Sequence, residues 1–163
     1  MSLGVKACVA LLAIVVVPAI AVAQGVILER NISTQLARAM AEAAMECVKD
    51  GKGMTVAVVD RAGQLRVLLR GDNAPPHGIE LARRKAYTAR TFRRPSLEWA
   101  KRTETGLVGQ RSLADVIPLG GGMPIKVGEE TIGGIGVSGV PGGQEGDENC
   151  AKAALTKVAD QLK

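Results

Sequence analysis

The sequence predicts a single α+β domain with an antiparallel sheet, and three observations support that fold class. Beyond residue 24 the predicted elements follow in the order helix, two strands, two helices, two or three strands, helix, which is typical of an α+β domain. The first two strands are predicted to form a β-hairpin, because a short turn sequence separates them. A glycine-rich segment, residues 120–143, holds ten of the chain's twenty glycines and implies close backbone packing somewhere in the sheet.

Residues 1–23 have the three-part pattern of a secretory signal peptide. One cation, Lys6, precedes an apolar run, which ends at the small residues Ala21–Ala23. A retained membrane helix is the alternative, because the run approaches spanning length, but Pro18 and the small residues favour cleavage. We therefore expect a periplasmic or secreted protein whose mature form, residues 24–163, is one domain without a membrane span.

The first helix and the hairpin follow from apolar spacing. From Ile32, apolar residues recur at the spacing of an amphipathic helix up to Cys47. The segment MTVAVVD, residues 54–60, is a continuous apolar run that predicts an interior strand. After the RAGQ turn, apolar residues alternate with arginines over residues 65–70, which predicts the second strand of a hairpin.

The remaining elements are predicted in the same way. The two prolines of GDNAPPHG delay the second helix until His77 or later, and a short helix follows over Ser96–Glu104. Two strands are expected at about 124–127 and 131–138, and a last helix near Asp147. The second helix has a narrow stripe of small or apolar residues and an otherwise basic surface; the stripe is Ile79, Ala82, Ala86 and Ala89, and the cations are Arg83, Arg84, Lys85, Arg90, Arg93 and Arg94.

The glycine-rich segment does not predict a nucleotide site. Residues 134–139 match G-x-G-x-x-G, but a dinucleotide fold needs a helix to open at the third glycine and a further parallel strand to follow. In the predicted strand, Gly134 and Gly136 share one face and leave it without side chains. That bare face is a packing seat for a helix or a neighbouring subunit, or part of a flat ligand site; we favour packing.

Composition argues against two kinds of binding site, one for nucleic acid and one for zinc. The formal net charge is +5 at pH 7, and the chain has one Trp, one Tyr and one Phe, so little is available for base stacking and we expect no nucleic-acid partner. Two cysteines remain after cleavage, and the chain has one histidine. These three residues are too few for the usual four-ligand zinc site. The small-residue stripe and the bare glycine face could each seat a neighbour, so we also expect a homo-oligomer.

Five blocks of the sequence, in matching order, resemble the HbpS-like/GlcG family of small haem-binding proteins, whose domain also occurs in some corrinoid adenosyltransferases. The blocks are VAVVDRAG, ARRKAYTA, GGGMPI, IGGIGVSG and DENCAKAAL. The resemblance spans about residues 32–162. It departs from the family's pattern at PGGQEGDE, where relatives more often run straight into Asp-Glu.

The resemblance implies a profilin-like fold, with the N- and C-terminal helices on one face of an antiparallel sheet, and a homo-oligomer. It also implies a tetrapyrrole ligand, haem rather than a corrinoid. His77 is the candidate metal ligand, unless it is simply a solvated loop residue. The other candidate cofactor-binding residues are Arg83, Arg84 and Lys85 for the propionates, the weaker ligand candidates Tyr87 and Met123, and the bare strand positions Gly134 and Gly136.

Three functions stay open at this point. A tetrapyrrole-binding protein that scavenges, buffers or senses haem is favoured. The alternatives are a small-molecule enzyme at an oligomer cleft, with Asp60, Glu148 or His77 as acid–base groups, and an accessory oligomer without a ligand. No paired-carboxylate or triad motif supports the enzyme.

The pairing of Cys47 and Cys150 is also open. The implied fold packs the first and last helices antiparallel, which could bring the two thiols together. Cys47 continues the apolar stripe of the first helix and is expected to face inward. Neither helix position fixes the distance between the sulfurs, and we rank two buried, reduced cysteines slightly above a bridge.

Overall fold

A computed structural model of the protein describes residues 25–163. The predicted signal peptide, residues 1–23, lies outside the described residues. The helices and strands, in chain order, are α1 Thr34–Met45, β1 Thr55–Asp60, β2 Leu65–Arg70, α2 Gly78–Phe92, α3 Ser96–Arg102, β3 Gly122–Val127, β4 Glu130–Ser138 and α4 Gly143–Lys157. This order confirms the predicted α+β class.

The four strands form one antiparallel sheet in the order β2-β1-β4-β3. Strand β1 is central and every one of its residues is buried, as its continuous apolar run predicts. Strand β2 lies at one edge and is partly exposed. The antiparallel pairing also excludes the parallel βαβ unit that a dinucleotide site at Gly134–Gly139 would need.

Helices cover both faces of the sheet. The main apolar core joins α1 and α4 to alternate residues of β1 and β4, including Val56, Val58 and Ile135. Helix α2 packs on the opposite face. The N- and C-terminal helices therefore share one face, which confirms the predicted arrangement. Ser33 caps α1, since its hydroxyl accepts a hydrogen bond from the Leu36 N–H at 3.1 Å.

The bare glycine face of β4 is the seat of helix α2. A Cβ added at Gly134 would overlap the Ala86 carbonyl oxygen, and one at Gly136 would overlap the Ala82 carbonyl oxygen. Ala82 and Ala86 are themselves fully buried. The glycine face and the alanine stripe are thus each other's partners within one chain, and they no longer argue for a second subunit.

We expect Gly136→Ala to lower the free energy of unfolding by about 1–3 kcal/mol, the usual cost of overpacking a filled core. The new methyl group would also lie 2.6 Å from the Ala86 nitrogen, so α2 would have to shift as a whole. Urea unfolding measures the change. Gly109→Ala is the matched control, because a Cβ there meets nothing within 4 Å; equal unfolding midpoints for the two variants would contradict this account.

Two boundaries differ from the prediction. Helix α4 begins at Gly143 and not near Asp147, because the extra glycines of PGGQEGDE form its first turn. Helix α1 ends at Met45, so Cys47 leaves the apolar stripe and is exposed, whereas Cys150 is buried. Within residues 25–163, no helix combines the length and apolar character needed to cross a membrane.

Candidate functional site

His77 is exposed at the start of helix α2. It lies in the turn Pro75–Gly78, which is closed by a 3.0 Å hydrogen bond from the Gly78 N–H to the Pro75 carbonyl. The His77 carbonyl accepts from the Leu81 N–H at 3.0 Å, which fixes the backbone in the first helical turn. The imidazole makes no capping hydrogen bond, so its nitrogens are free to bind a ligand from solvent.

Arg83 and Arg84 fasten the segment after α3 to helix α2. Arg83 binds Glu80 at 2.9 Å and Asp115 at 2.7 Å, and its hydrogen bond lowers the pKa of Glu80. Arg84 donates to the Val116 carbonyl. Both guanidinium groups are half-buried, so they are engaged with the protein and are less available to an anionic ligand than a solvated face would be.

Lys85 belongs to the interior and not to the basic surface. It is 3% exposed, and its Nζ lies 2.7 Å from Asp147 Oδ2 and 3.1 Å from the Val137 carbonyl. The other oxygen of Asp147 accepts from the Val140 N–H at 2.9 Å. This buried pair joins α2 to α4 and leaves no open side for a propionate. The sequence did contain a signal for this burial, because Lys85 lies between Ala82 and Ala86 on the helix face that carries the alanines.

The remaining predicted residues do not converge with His77. The Tyr87 ring covers Gly63 in the β1–β2 turn, where a Cβ would approach it to 2.7 Å. Met123 packs against the core that contains α1 and α4, which is the other face of the sheet. Gly134 and Gly136 lie beneath α2. Of the predicted set, His77 is the residue whose side chain is open to solvent.

Two of the three acid–base candidates of the enzyme hypothesis, Asp60 and Glu148, are engaged in structural contacts. Asp60 holds the β1–β2 turn: its Oδ1 accepts from the Ala62 and Gln64 N–H groups, both at 2.9 Å, and its Oδ2 pairs with Arg66 at 3.0 Å. Glu148 is buried on α4 and pairs with Lys152 at 2.9 Å. In the described part of the chain, no three His, Cys, Asp or Glu side chains group as a metal site.

Surface cavities of about 110 to 270 Å³ indent the described chain, each smaller than the roughly 300–1,000 Å³ of pockets for drug-sized ligands. One of them, of about 130 Å³, is lined by Arg61, Arg90, Arg93, Glu129, Glu130 and Thr131. Sequence reasoning placed Arg90 and Arg93 on a basic helix surface. It did not predict that these two arginines line a cavity together with residues of the β3–β4 turn, because that arrangement depends on tertiary packing.

Cys47 and Cys150 form a disulfide, with 5.4 Å between their Cα atoms. The bridge ties the segment that follows α1 to α4, so the alternative that the sequence analysis ranked higher, two buried and reduced cysteines, is wrong. It also removes both thiols from the possible metal ligands of residues 25–163.

Comparison with known proteins places the chain in a family. The family model described as "Haem degrading protein HbpS-like" matches residues 32–156. Protein GlcG of Escherichia coli K12 is 33% identical over 108 residues, which is 66% of this chain and 81% of GlcG.

Solved structures agree with that match. A double mutant of Streptomyces reticuli HbpS is 34% identical, with a TM-score of 0.79 over 88% of this chain and 97% of that one. The PduOC:heme complex is 27% identical, with a TM-score of 0.67 over 77% of this chain and 93% of that one. This chain belongs to the HbpS-like family.

Proposed function

We propose that this protein is an exported haem-binding protein that scavenges, buffers or senses haem. The observation that carries the proposal is the membership of the HbpS-like family, together with a structural neighbour solved as a haem complex. A corrinoid is the less favoured ligand of the same class. The residues of this chain then decide how haem would be held.

In this proposal His77 would hold the haem iron. Haem iron in proteins takes His, Cys, Met or Tyr. Both cysteines of residues 25–163 are in the disulfide, and Tyr87 is packed on Gly63. Met40 and Met54 are fully buried, and Met45 and Met123 are packed against the core. His77 combines a strong donor with an open position. When bound, haem supplies an iron centre for ligand exchange or electron transfer, and His77 anchors it.

The site is completed by a second subunit in this proposal. A tetrapyrrole needs more enclosed space than the cavities described above provide, and ligand sites commonly bury most of the ligand's surface. A homo-oligomer that covers the face around His77 would supply the missing wall. The half-buried Arg83 and Arg84 would then interact with the propionates only by exchanging partners with Glu80, Asp115 or Val116.

Export is part of the same proposal. The signal-peptide pattern of residues 1–23 supports it, and the Cys47–Cys150 disulfide suits an oxidising compartment outside the cytoplasm.

Titration of the purified protein with haemin should give a saturable Soret band, and His77→Ala should weaken the apparent affinity by about tenfold or more, equivalent to roughly 1.4 kcal/mol or more. His77→Tyr, which offers another axial donor, should keep binding but move the band. Light scattering on the same samples should give an oligomer whose mass stays constant or rises when haemin is added.

Gln35→Ala is the matched control, because Gln35 is exposed on α1, on the other face of the sheet, and should leave the titration unchanged. A wild-type protein without a saturable band would refute haem binding. An identical band and affinity in His77→Ala would assign the iron to another ligand, and a monomer at every stage would refute the shared site. Cobalamin, titrated in parallel, tests the corrinoid alternative.

A further inference from the structure

The cavity of about 130 Å³ noted above, here called the arginine cavity, lies where the end of α2 meets the β1–β2 and β3–β4 turns. Arg90 comes from α2, Arg93 directly follows its last residue, and Arg61 comes from the β1–β2 turn. Glu129, Glu130 and Thr131 come from the β3–β4 turn and the start of β4. The lining thus combines three arginines with two glutamates, and like charges this close repel unless an anion separates them.

The carboxylates of the arginine cavity do not neutralise all of its arginines. Glu130 is held by Arg61 and, at 3.8 Å, by Arg30, while Arg61 also binds Glu29 at 3.2 Å. Among residues 25–163, neither Arg90 nor Arg93 takes part in an ion pair with an acidic side chain. The net positive charge of the cavity therefore falls on the α2 side.

Two of the residues that line the arginine cavity, Arg90 and Thr131, each have a buried side-chain atom without a hydrogen-bond partner, Nε and Oγ1 respectively. Buried polar groups in folded proteins are nearly always satisfied, and an exception calls for a water, an ion or a ligand. A guanidinium donor and a hydroxyl donor, on two residues that line the same small space, fit an acceptor that carries negative charge.

The fold holds Arg90 in this position. The Arg90 Cβ would lie 3.0 Å from a Cβ added at Gly134, so the bare strand lets the arginine stem lie close against the sheet. The same glycine that seats α2 thus leaves room for the stem of Arg90, whose Nε is buried. The base of this side chain is therefore held by packing against the sheet.

We propose that the arginine cavity binds a compact oxyanion, such as phosphate or a short carboxylate, between Arg90, Arg93 and Thr131. Guanidinium forks bind such anions through paired, charge-assisted hydrogen bonds, and the volume excludes a large ligand. Arg90 lies thirteen residues beyond His77 on α2, about 20 Å along the helix. The site is therefore separate from the proposed haem ligand and does not depend on it.

Isothermal titration with inorganic phosphate and, separately, with oxalate tests the site at constant ionic strength. Wild type should bind at least one probe saturably with one site per chain. Arg90→Gln should weaken binding by about tenfold or more, and Thr131→Val, which removes only the hydroxyl, by a smaller factor. Which probe binds more tightly distinguishes a phosphate site from a carboxylate site.

Arg38→Gln is the matched control, since it removes an exposed arginine on α1 that pairs with Glu42, and it should bind as wild type does. Glu129→Gln should tighten binding by removing a negative charge from the cavity wall, which keeps the test decisive even if Arg90→Gln fails to fold. Absence of saturable binding by both probes, or equal affinities in all variants, would overturn the proposal. His77→Ala should retain full anion binding.

Discussion

Reduction of the Cys47–Cys150 disulfide should lower the free energy of unfolding by about 4–5 kcal/mol. The bridge joins residues 103 apart, and the chain-entropy model gives that stabilisation for a loop of roughly 100 residues. The Cα separation of 5.4 Å lies in the ordinary range, so the native fold accepts the bridge without backbone movement. Urea unfolding with and without dithiothreitol measures the difference.

The double variant Cys47→Ala/Cys150→Ala is the control for reduction. It should unfold at about the same urea concentration as reduced wild type, and dithiothreitol should not change it further. Two free thiols per chain in denatured, unreduced protein would show that the bridge is absent. A stability loss below about 1 kcal/mol would show that the denatured chain gains little freedom on reduction.

The same preparation tests export. Protein recovered from the periplasm or the medium should begin at Gln24 and carry no free thiol, because signal cleavage and disulfide formation occur together outside the cytoplasm. A chain that keeps residues 1–23, or one recovered reduced from the cytoplasm, would contradict the proposed location.

Local patterns predicted most of the fold. The continuous apolar run over β1, the apolar–arginine alternation over β2 and the helical spacing from Ile32 each predicted an element that the structure contains. Exposure along β2 does not follow the alternation, since Leu65 and Arg66 are both exposed. The arrangement of helices about the sheet came instead from family resemblance. Periodicity tells which face of an element is buried, but it does not tell which element covers that face.

That limit explains why the partner of each face stayed open. The glycine face of β4 was predicted to seat a helix or a neighbouring subunit, and the structure confirms the helix. The use of both small-residue faces as an argument for an oligomer is what the structure removes. In the structure Ala82 and Gly136 meet each other. Pairing two complementary surfaces within a chain requires the topology, in which β4 lies between β1 and β3 and beneath α2.

The candidate site was predictable only in part. His77 could be singled out because a histidine after two prolines is expected in an exposed turn. The roles of Arg83, Arg84 and Lys85 depend on partners thirty to sixty residues away, at Asp115, Val116 and Asp147. Such pairings leave no periodic signal in the sequence, and the same holds for the arginine cavity.

Replacement of Lys85 by methionine should lower the free energy of unfolding by about 3–5 kcal/mol, the usual cost of leaving one charge of a buried ion pair without its partner. Methionine keeps most of the side-chain volume but removes the ammonium group. Asp147 is only 4% exposed. In the variant its negative charge would stay buried without the Lys85 ammonium group, which lies 2.7 Å away in the native protein. Urea unfolding of wild type and Lys85→Met at neutral pH measures the loss.

The double variant Lys85→Met/Asp147→Asn separates a broken pair from a damaged core. It removes both charges while an amide oxygen can still accept from the Val140 N–H, so it should be more stable than Lys85→Met alone. Lys157→Met breaks the exposed pair with Glu46 and should cost no more than about 1 kcal/mol. Equal losses of unfolding free energy in Lys85→Met and Lys157→Met would show that burial does not strengthen the Lys85–Asp147 pair. Apolar packing alone would then hold α2 to α4.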